Sequence, residues 1–296
     1  MRSARTYLYV PGDQPDKLGK ALGRGADALI VDLEDAVAPA RKEAARAQVG
    51  QWLRGLADGQ GRSPEIWVRT NPGAAAAADI AEVACASLTG VVIAKTESRA
   101  EVDAADTALT AAEREAGITP GTIAVMPLLE SAAALLAAAD IARGPRVAAL
   151  QLGEVDLAAD LGAAPGPGET ELLWARSQAV AASAAAGLFA PVGAVRADFR
   201  DLEGLRTSTE ALRRMGFFGR ACIHPAQLPV VREAFTPTAE EVDRARALVG
   251  EFTEASAEGT GIYADSNGRL VDAAVVRAAH RTLAAAGHNP GSTRER

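Results

Sequence analysis

Two short apolar runs in the middle of the chain each lead to a carboxylate. The first is Met126-Pro-Leu-Leu-Glu130-Ser, and the second is Leu150-Gln-Leu-Gly-Glu-Val-Asp156-Leu. An acid that ends a parallel strand lies at the carboxyl edge of the sheet, so Glu130 and Asp156 could meet there. Hard cations such as Mg²⁺ prefer oxygen ligands and often need only one or two protein carboxylates. The pair therefore predicts a magnesium site, with capping of the following helices as the alternative.

A third strand-like run, Ile66-Trp-Val68, ends at Arg69. A guanidinium at that position can bind a carboxylate or a carbonyl in a bidentate fork. The alternative is a structural ion pair with an acid at a neighbouring strand end, such as Asp35. We keep both interpretations open at this stage.

Three acids lie within four residues at the end of another apolar run, at Asp32, Glu34 and Asp35. Strand alternation sends Asp32 and Glu34 to one face and Asp35 to the other. Burying all three would be costly, so some of them must meet a cation. That cation could be a metal with its water shell, Arg69 or Lys95, and a solvated turn is the alternative for at least one of the acids.

Other catalytic arrangements have weak support. His224, in Cys-Ile-His-Pro, is a candidate general base, although a single histidine at a strand end is more often a hydrogen-bonded structural group. The sequence lacks a Ser-His-Asp order, a Cys-x-x-Cys pair and a phosphate-binding glycine loop. Cys85 and Cys222 have no metal-ligand spacing and are interpreted as reduced thiols.

Strand-like and helix-like segments alternate along most of the chain, about 30 residues per strand–helix unit. Eight units and near-continuous apolar strands such as Leu29-Ile-Val predict an α/β fold, a (β/α)₈ barrel. A doubly wound open sheet is the alternative, but Pro11-Gly12-Asp13-Gln14 is not its usual glycine-rich loop. We expect residues 1–236 to form the barrel and residues 237–296 to form the last barrel helix and a C-terminal helical extension. The strand ends are expected at Asp35, Arg69, Lys95, Glu130, Asp156, Arg196 and His224.

The bulk properties exclude some partners. The 296 residues carry a formal net charge of −7, which argues against a nucleic-acid or anionic membrane surface because both favour clustered Lys and Arg. An anionic small ligand stays possible, since one or two placed arginines suffice. The first apolar run, Tyr7-Leu-Tyr-Val10, is too short for a signal peptide, and no stretch approaches a membrane span. We therefore expect a cytoplasmic protein.

Six motifs in order along the barrel resemble those of the citrate lyase β-subunit-like proteins, which belong with the malyl-CoA and citramalyl-CoA lyases and the HpcH/HpaI aldolases. The motifs are Leu8-Tyr-Val-Pro-Gly12, Gly25-Ala-Asp-Ala-Leu-Ile-Val-Asp-Leu-Glu-Asp-Ala-Val37, Val68-Arg-Thr-Asn71, Leu128-Leu-Glu130-Ser, Leu152-Gly-Glu-Val-Asp-Leu157 and Gly216-Phe-Phe-Gly-Arg-Ala-Cys-Ile-His-Pro225.

The resemblance implies a TIM barrel of the phosphoenolpyruvate/pyruvate type that forms a homotrimer or hexamer. It implies that Glu130 and Asp156 bind Mg²⁺ and that Arg69 contacts the carboxylate or carbonyl of the substrate. Glu34 and Asp35 would surround the metal-bound waters. The substrate-binding residues that it implies are Arg69, Glu130, Gly153, Glu154 and Val155.

The resemblance also implies that the C-terminal extension covers the active site of a neighbouring subunit. That extension would supply an acid/base from Gly268-Arg-Leu-Val-Asp272, so Asp272 is the candidate. The chain departs from the family where Gln14 replaces a frequent arginine, and no basic cluster in the sequence identifies a site for the phosphates of coenzyme A.

The expected function is a Mg²⁺-dependent carbon–carbon lyase. It would cleave a β-hydroxyacyl-CoA of the malyl-CoA or citramalyl-CoA type to a 2-oxo acid and an acyl-CoA. The alternatives are an aldolase on a free hydroxy-oxo acid, a malyl-CoA thioesterase, or a subunit that binds acyl carriers without turnover.

Overall fold

The computed structural model describes residues 4–56, 64–257, 262–265 and 268–287. Eight parallel strands close into a barrel in chain order, and the first pairs with the eighth through Thr6–Leu8 and Arg220–Cys222. This closure confirms the predicted (β/α)₈ barrel and excludes the open sheet. Strands β1 to β8 are Thr6–Pro11, Ala28–Asp32, Glu65–Thr70, Gly90–Ile93, Ala124–Leu129, Gln151–Leu152, Val192–Gly193 and Gly219–Cys222.

A helix follows each barrel strand. After β2, a 3₁₀ turn at Pro39–Arg41 comes before the helix. Helices α1 to α10 are Pro15–Ala21, Lys42–Arg54, Ala75–Val83, Arg99–Glu115, Ala132–Leu136, Ala138–Ala142, Glu154–Asp160, Leu173–Ala185, Leu202–Met215 and Gln227–Phe235. Among the described helices, none is long and apolar enough to cross a membrane.

Two helices differ from the sequence prediction. The short apolar run that leads to Asp156 is predicted to end as a strand at that residue, but β6 has only two residues and α7 begins at Glu154. Helix α10 follows β8 directly, and its first residue, Gln227, accepts the backbone amides of Ile223 and His224 on its side-chain oxygen. The helix that follows β8 is therefore Gln227–Phe235, whereas the sequence places the last barrel helix within 237–296.

The chain divides into two compact units between Phe235 and Thr236. The second unit contains helix α11 (Ala239–Ala257), a short antiparallel pair formed by β9 (Tyr263–Ala264) and β10 (Leu270–Val271), and helix α12 (Ala273–Ala285). Its own apolar cluster is formed by Val242, Ala245, Ala279 and Leu283. The second unit thus has its own core, although a small one.

The first unit has two apolar clusters. The larger one fills the space between the strands and the surrounding helices, with Leu29, Val31, Val68 and Leu129 at or near zero exposure. The smaller one fills the barrel itself and contains Tyr7, Ile30, Trp67, Val92, Met126 and Leu128. This layered filling makes the barrel a packed core, so a ligand can bind only at its rims.

Gly90 packs directly against Trp67 inside the barrel. A Cβ atom at Gly90 would lie 2.3 Å from Cζ3 of Trp67 and 2.7 Å from the carbonyl oxygen of Ala124. We expect Gly90→Ala to lower the free energy of unfolding by about 1–3 kcal/mol through overpacking. The measurement is urea denaturation of the purified protein.

Gly19→Ala is the matched control, because a Cβ atom at Gly19 on the exposed face of α1 would meet no atom within 4 Å. It should leave the free energy of unfolding unchanged or raise it by about 0.5–1 kcal/mol, since alanine is the better helix former. Equal effects of the two substitutions would contradict the packing argument.

Candidate active site

The carboxyl ends of the strands surround a cavity of about 440 Å³. This is the face of a (β/α)₈ barrel at which active sites are built. The predicted site residues that line it are Asp35, Arg69, Glu130, Gly153, Glu154, Val155 and Asp156. The structure thus brings both predicted metal ligands and the predicted arginine into one cavity.

Glu130 follows the last residue of β5 and is only 4% exposed. Its Oε1 atom accepts the backbone amide of Lys95 at 2.7 Å, whereas Oε2 accepts no hydrogen bond from the described residues. Burial raises the pKa of Glu130 to about 7, and the negative charge of Asp156 contributes to the rise. The two carboxylates are therefore close enough to repel each other.

Gly153 packs directly against the side chain of Glu130. A Cβ atom at this position would lie 2.7 Å from both Cβ and Oε2 of Glu130. Only glycine permits this close approach, which explains a glycine between β6 and α7 without any need for a positive φ.

The sequence predicts a strand end at Asp156, but this residue lies in the first turn of α7. It is exposed, and it accepts no hydrogen bond and forms no ion pair within the described part of the chain. N-cap hydrogen bonds do not account for either acid, although Asp156 lies in the first turn of α7, where the helix dipole favours an acid. Ser131 caps α5 by accepting the amide of Ala134, and Gly153 is the N-cap residue of α7.

Glu130 and Asp156 fit a hard divalent cation. Oε2 of Glu130 and both carboxylate oxygens of Asp156 accept no hydrogen bond from the described residues, and burial destabilises the charge of Glu130. Within the described residues no group of three or more Asp, Glu, His or Cys could hold a metal ion. Two carboxylates are nevertheless sufficient for Mg²⁺, which keeps several waters.

Arg69 forms a bidentate ion pair with Asp32, with Nε 2.7 Å from Oδ1 and Nη2 2.6 Å from Oδ2. Its Nη1 lies 2.9 Å from Oε2 of Glu34 and 3.7 Å from Oδ2 of Asp35. Burial alone would lower the pKa of Arg69, but the hydrogen bonds that it donates to Asp32 and the charges of the nearby acids raise it. The expected structural ion pair is therefore present, with Asp32 rather than Asp35 as the bidentate partner.

From the sequence, Asp32 is expected only as one of three acids of which some meet a cation, and no role in the site is assigned to it. A signal existed, because Asp32 and Arg69 end neighbouring strands and pair in register. That register becomes visible only when the barrel is closed. Arg69 also lies over the ring of Tyr9, with Cζ 5.1 Å from the ring centroid, and it still lines the cavity.

Glu34 is buried and is held by two cations. Its Oε1 accepts Nζ of Lys95 at 2.6 Å, while Oε2 faces Arg69. Burial raises the pKa of Glu34, and Lys95 and Arg69 offset part of that rise. Asp35 is exposed, and its Oδ1 lies 3.5 Å from Nζ of Lys95. Glu34 therefore supports Arg69 from behind, while Asp35 faces the cavity.

Glu154 has its carboxylate engaged away from the cavity. Nε and Nη2 of Arg176 donate to its two oxygens at 2.6 and 2.7 Å, and Nη2 also donates to Glu169 at 2.7 Å. The predicted substrate contact of Glu154 can therefore come only from its backbone. The neighbouring Val155 is 61% exposed, which is unusual for a large apolar side chain at a cavity.

Tyr9 and Gln151 form a polar pair that the sequence analysis missed. Nε2 of Gln151 donates to the hydroxyl of Tyr9 at 3.1 Å, and both residues line the cavity. Oε1 of Gln151 is buried and has no hydrogen-bond partner in the described part of the protein. A ligand or a water molecule can satisfy this oxygen.

A second cavity, of about 410 Å³, shares Tyr9, Pro11, Lys17 and Ile223 with the first. Its lining includes Lys17, Lys20 and Arg24, together with one acid, Asp16. Three cations on α1 and the following 3₁₀ turn thus form the basic cluster that the sequence did not reveal. Helical spacing brings them together, although they are separated along the chain.

His224 lines this second cavity and not the first. Its Nδ1 accepts the amide of Ala226 at 3.1 Å, and its ring stacks on Phe199 with centroids 4.7 Å apart. These contacts agree with the structural interpretation of His224.

Asp272 belongs to the second unit, where it is the N-cap residue of α12. Its Oδ1 accepts the amides of Ala274 and Val275 at 2.9 and 3.0 Å. Capping is a sufficient structural reason for an aspartate here. Its catalytic role stays a prediction.

The chain is similar to known proteins over almost its whole length. A (3S)-malyl-CoA thioesterase of Cereibacter sphaeroides is 34% identical over 282 residues, which cover 95% of this chain and 94% of the relative. An L-malyl-CoA/β-methylmalyl-CoA lyase of the same organism is 33% identical over 306 aligned residues, covering 94% and 93%.

The crystal structure of the protein CitE from Mycobacterium tuberculosis, in complex with magnesium, acetoacetate and coenzyme A, superposes with a TM-score of 0.75. It is 32% identical and covers 97% of this chain and 100% of that one. The family described as HpcH/HpaI aldolase/citrate lyase matches residues 5–225. With these matches spanning the barrel and nearly the whole chain, the protein belongs to the HpcH/HpaI aldolase/citrate lyase family.

Proposed function

We propose that this protein is a Mg²⁺-dependent carbon–carbon lyase that cleaves a β-hydroxyacyl-CoA of the malyl-CoA or citramalyl-CoA type to a 2-oxo acid and an acyl-CoA. The observation that carries this proposal is the pairing of Glu130 and Asp156 with Arg69 in one cavity. Membership of a family of aldolases and lyases supports the reaction class. The magnesium and coenzyme A bound to the mycobacterial relative support the cofactor and the carrier.

In this proposal Glu130 and Asp156 hold Mg²⁺, which supplies positive charge to the oxygens of the 2-oxo acid portion of the substrate. In cleavage, the β-hydroxyl group gives its proton to a base, its oxygen becomes the carbonyl of the 2-oxo acid, and the bond between the carbinol carbon and the α-carbon of the acyl group breaks. The electron pair passes to the thioester as an enolate, and a proton at the α-carbon then completes the acyl-CoA.

Arg69 stabilises the negative charge that develops on substrate oxygen. Asp32 and Glu34 fix the guanidinium before substrate arrives, so no orientation is needed during the reaction. Gly153, Glu154 and Val155 contact the substrate through their backbone, and Asp35 faces the metal-bound waters. Asp272, from a neighbouring subunit, is the proposed acid/base at the acyl carbon.

The second cavity suits the phosphates of coenzyme A, because Lys17, Lys20 and Arg24 present cations there. The four residues shared by the two cavities would let the thioester lie near Glu130 while the phosphates contact α1. This basic cluster favours a CoA ester over a free hydroxy-oxo acid, even though Gln14 replaces an arginine frequent in the family.

Thioester hydrolysis is the second candidate, because one relative is a (3S)-malyl-CoA thioesterase. A subunit without turnover has less support, since a purely structural barrel has no need of Arg69 and two acids around one cavity. The homotrimeric or hexameric assembly and the cytoplasmic location predicted from the sequence stay predictions.

The test is to incubate the protein with Mg²⁺ and either malyl-CoA or citramalyl-CoA. Released 2-oxo acid is trapped with phenylhydrazine, and free CoA thiol is measured in parallel. We expect 2-oxo acid without free thiol. Free thiol without 2-oxo acid would instead establish the thioesterase, and turnover of free hydroxy-oxo acids alone would establish the aldolase.

Glu130→Gln should lower kcat by roughly 100-fold in the same assay, because it removes a charged ligand of the metal that stabilises developing charge. Glu115→Gln is the matched control, since Glu115 is exposed at the end of α4. A Glu130→Gln protein that keeps full rate and full Mg²⁺ affinity would remove the ligand assignment.

Mg²⁺ affinity should depend on pH through Glu130. Its metal-free pKa of about 7 means that protons compete with Mg²⁺ below neutral pH. We expect affinity measured by isothermal titration calorimetry to weaken by roughly tenfold from about pH 8 to about pH 6, with the acidic side weaker. A flat profile across this range would contradict the assignment of Glu130 as a metal ligand with a raised pKa.

The basic cluster predicts a selective effect on CoA esters. Lys20→Glu and Arg24→Glu should each raise KM for a CoA ester about three- to tenfold through the lost attraction to phosphate. KM for the matching N-acetylcysteamine thioester, which has no phosphate, should stay within about twofold. Arg114→Glu, on the exposed face of α4, supplies the same charge change away from the cavity. Equal changes with both substrates would argue against a phosphate site on α1.

A further inference from the structure

Lys95 has a backbone conformation that side-chain-bearing residues rarely adopt. It follows β4 closely, and its φ is 53°. The only other non-glycine residues with positive φ in the described chain are Arg146 and Glu169. Such a conformation is favourable for glycine and disfavoured for residues with a Cβ atom. Strained residues of this kind concentrate at functional sites, where the surrounding structure holds them in place.

The conformation gives the backbone amide of Lys95 one specific target. The amide donates to Oε1 of Glu130 at 2.7 Å, across the gap from the end of β4 to the end of β5. This is the sole hydrogen bond that the Glu130 carboxylate accepts from the described residues. The orientation of a central acid of the cavity thus depends on one backbone amide.

The next residue anchors this turn. Thr96 is fully buried, its amide donates to the carbonyl of Leu128 at 3.3 Å, and its hydroxyl donates to the carbonyl of Ile93 at 2.9 Å. The chain is therefore fixed on both sides of Lys95. On the opposite side of the carboxylate, Gly153 stands so close to Oε2 that a Cβ atom there would lie 2.7 Å away. Glu130 is confined between the Lys95 amide and Gly153.

The side chain of Lys95 does not explain the strain. The side chain is 46% exposed, and its ammonium group reaches Glu34 at 2.6 Å and Asp35 at 3.5 Å. A lysine on a four-carbon stem can reach two acids from many backbone conformations. The direction of the Lys95 amide has no such freedom, because it is set by the backbone torsions on either side of this amide, including φ of Lys95.

We propose that Lys95 is a positioning residue whose left-handed backbone orients Glu130 for metal binding, independently of its ammonium group. This inference rests on the proposed function, in which Glu130 binds Mg²⁺. The turn after β4 would then influence metal affinity through its backbone, although the side chain of Lys95 is not a ligand.

The experiment compares Lys95→Gly with Lys95→Val. Both variants lack the ammonium group, so its loss cancels, and they differ in that glycine accepts the left-handed conformation whereas a β-branched residue opposes it. Mg²⁺ affinity is measured by isothermal titration calorimetry without substrate. Lys95→Gly should bind within about threefold of the unmodified protein, and Lys95→Val should bind roughly tenfold more weakly than Lys95→Gly.

Crystal structures of the metal-free variants provide the second measurement. Glycine should keep the hydrogen bond from residue 95 to Oε1 of Glu130, and valine should break it and turn the carboxylate. If Lys95→Val does not fold, Lys95→Ala takes its place, because alanine also disfavours the left-handed region. Equal Mg²⁺ affinities of Lys95→Gly and Lys95→Val would overturn the inference. A Glu130 carboxylate that does not move in Lys95→Val, or in Lys95→Ala where that variant takes its place, would also overturn it.

The two measurements separate this inference from the proposed function. If the unmodified protein binds no Mg²⁺, the lyase proposal loses its cofactor, while the metal-free crystal structures still decide whether residue 95 orients Glu130. If the unmodified protein binds Mg²⁺ and the variants do not differ, only the positioning role fails.

Discussion

The ion pair between Arg69 and Asp32 makes the acidic rim of this barrel possible. Its two short hydrogen bonds join the ends of β2 and β3, and the same guanidinium faces the buried Glu34. Removing one partner of a buried ion pair leaves a charge that neither water nor protein can compensate. Because Asp32 also accepts the amides of Glu34 and Ala36, the pair fixes the turn after β2 as well as the arginine.

This arrangement leaves the negative charge unevenly compensated around the cavity. Asp32 and Glu34 are matched by Arg69 and Lys95. Glu130 receives only one amide, and Asp156 has no partner among the described residues. The side of the cavity at β5 and α7 is therefore the part that gains most from a bound cation. On the other side, Arg69 and Lys95 offset the buried Asp32 and Glu34, so that this side can keep its geometry with or without a ligand.

The sequence was informative about the side chains at strand ends. Glu130 and Arg69 could be placed at the cavity because parallel strands expose their carboxyl ends on one rim. Strand alternation does not explain why Asp32 and Glu34 are buried and Asp35 is exposed, because β2 ends at Asp32 and Leu33 is buried as well. What pattern reasoning could not supply depends on geometry. The pairing of Arg69 with Asp32 needs the register, and the basic cluster needs the phase of a short helix. The left-handed turn at Lys95 has no signal at all, because the residue there is not glycine.

Helix α7 has a consequence that reaches beyond the cavity. Asp156 is mounted on it, and the helix is tied to α8 by the buried fork between Glu154 and Arg176, which continues through Glu169 to Arg196. Arg176 does not line the cavity. A genetic screen that measures turnover alone would therefore not distinguish substitutions of Arg176 from substitutions in the cavity. The position of α7 would distinguish them, because loss of Arg176 displaces the helix whereas a substitution of Asp156 leaves it in place.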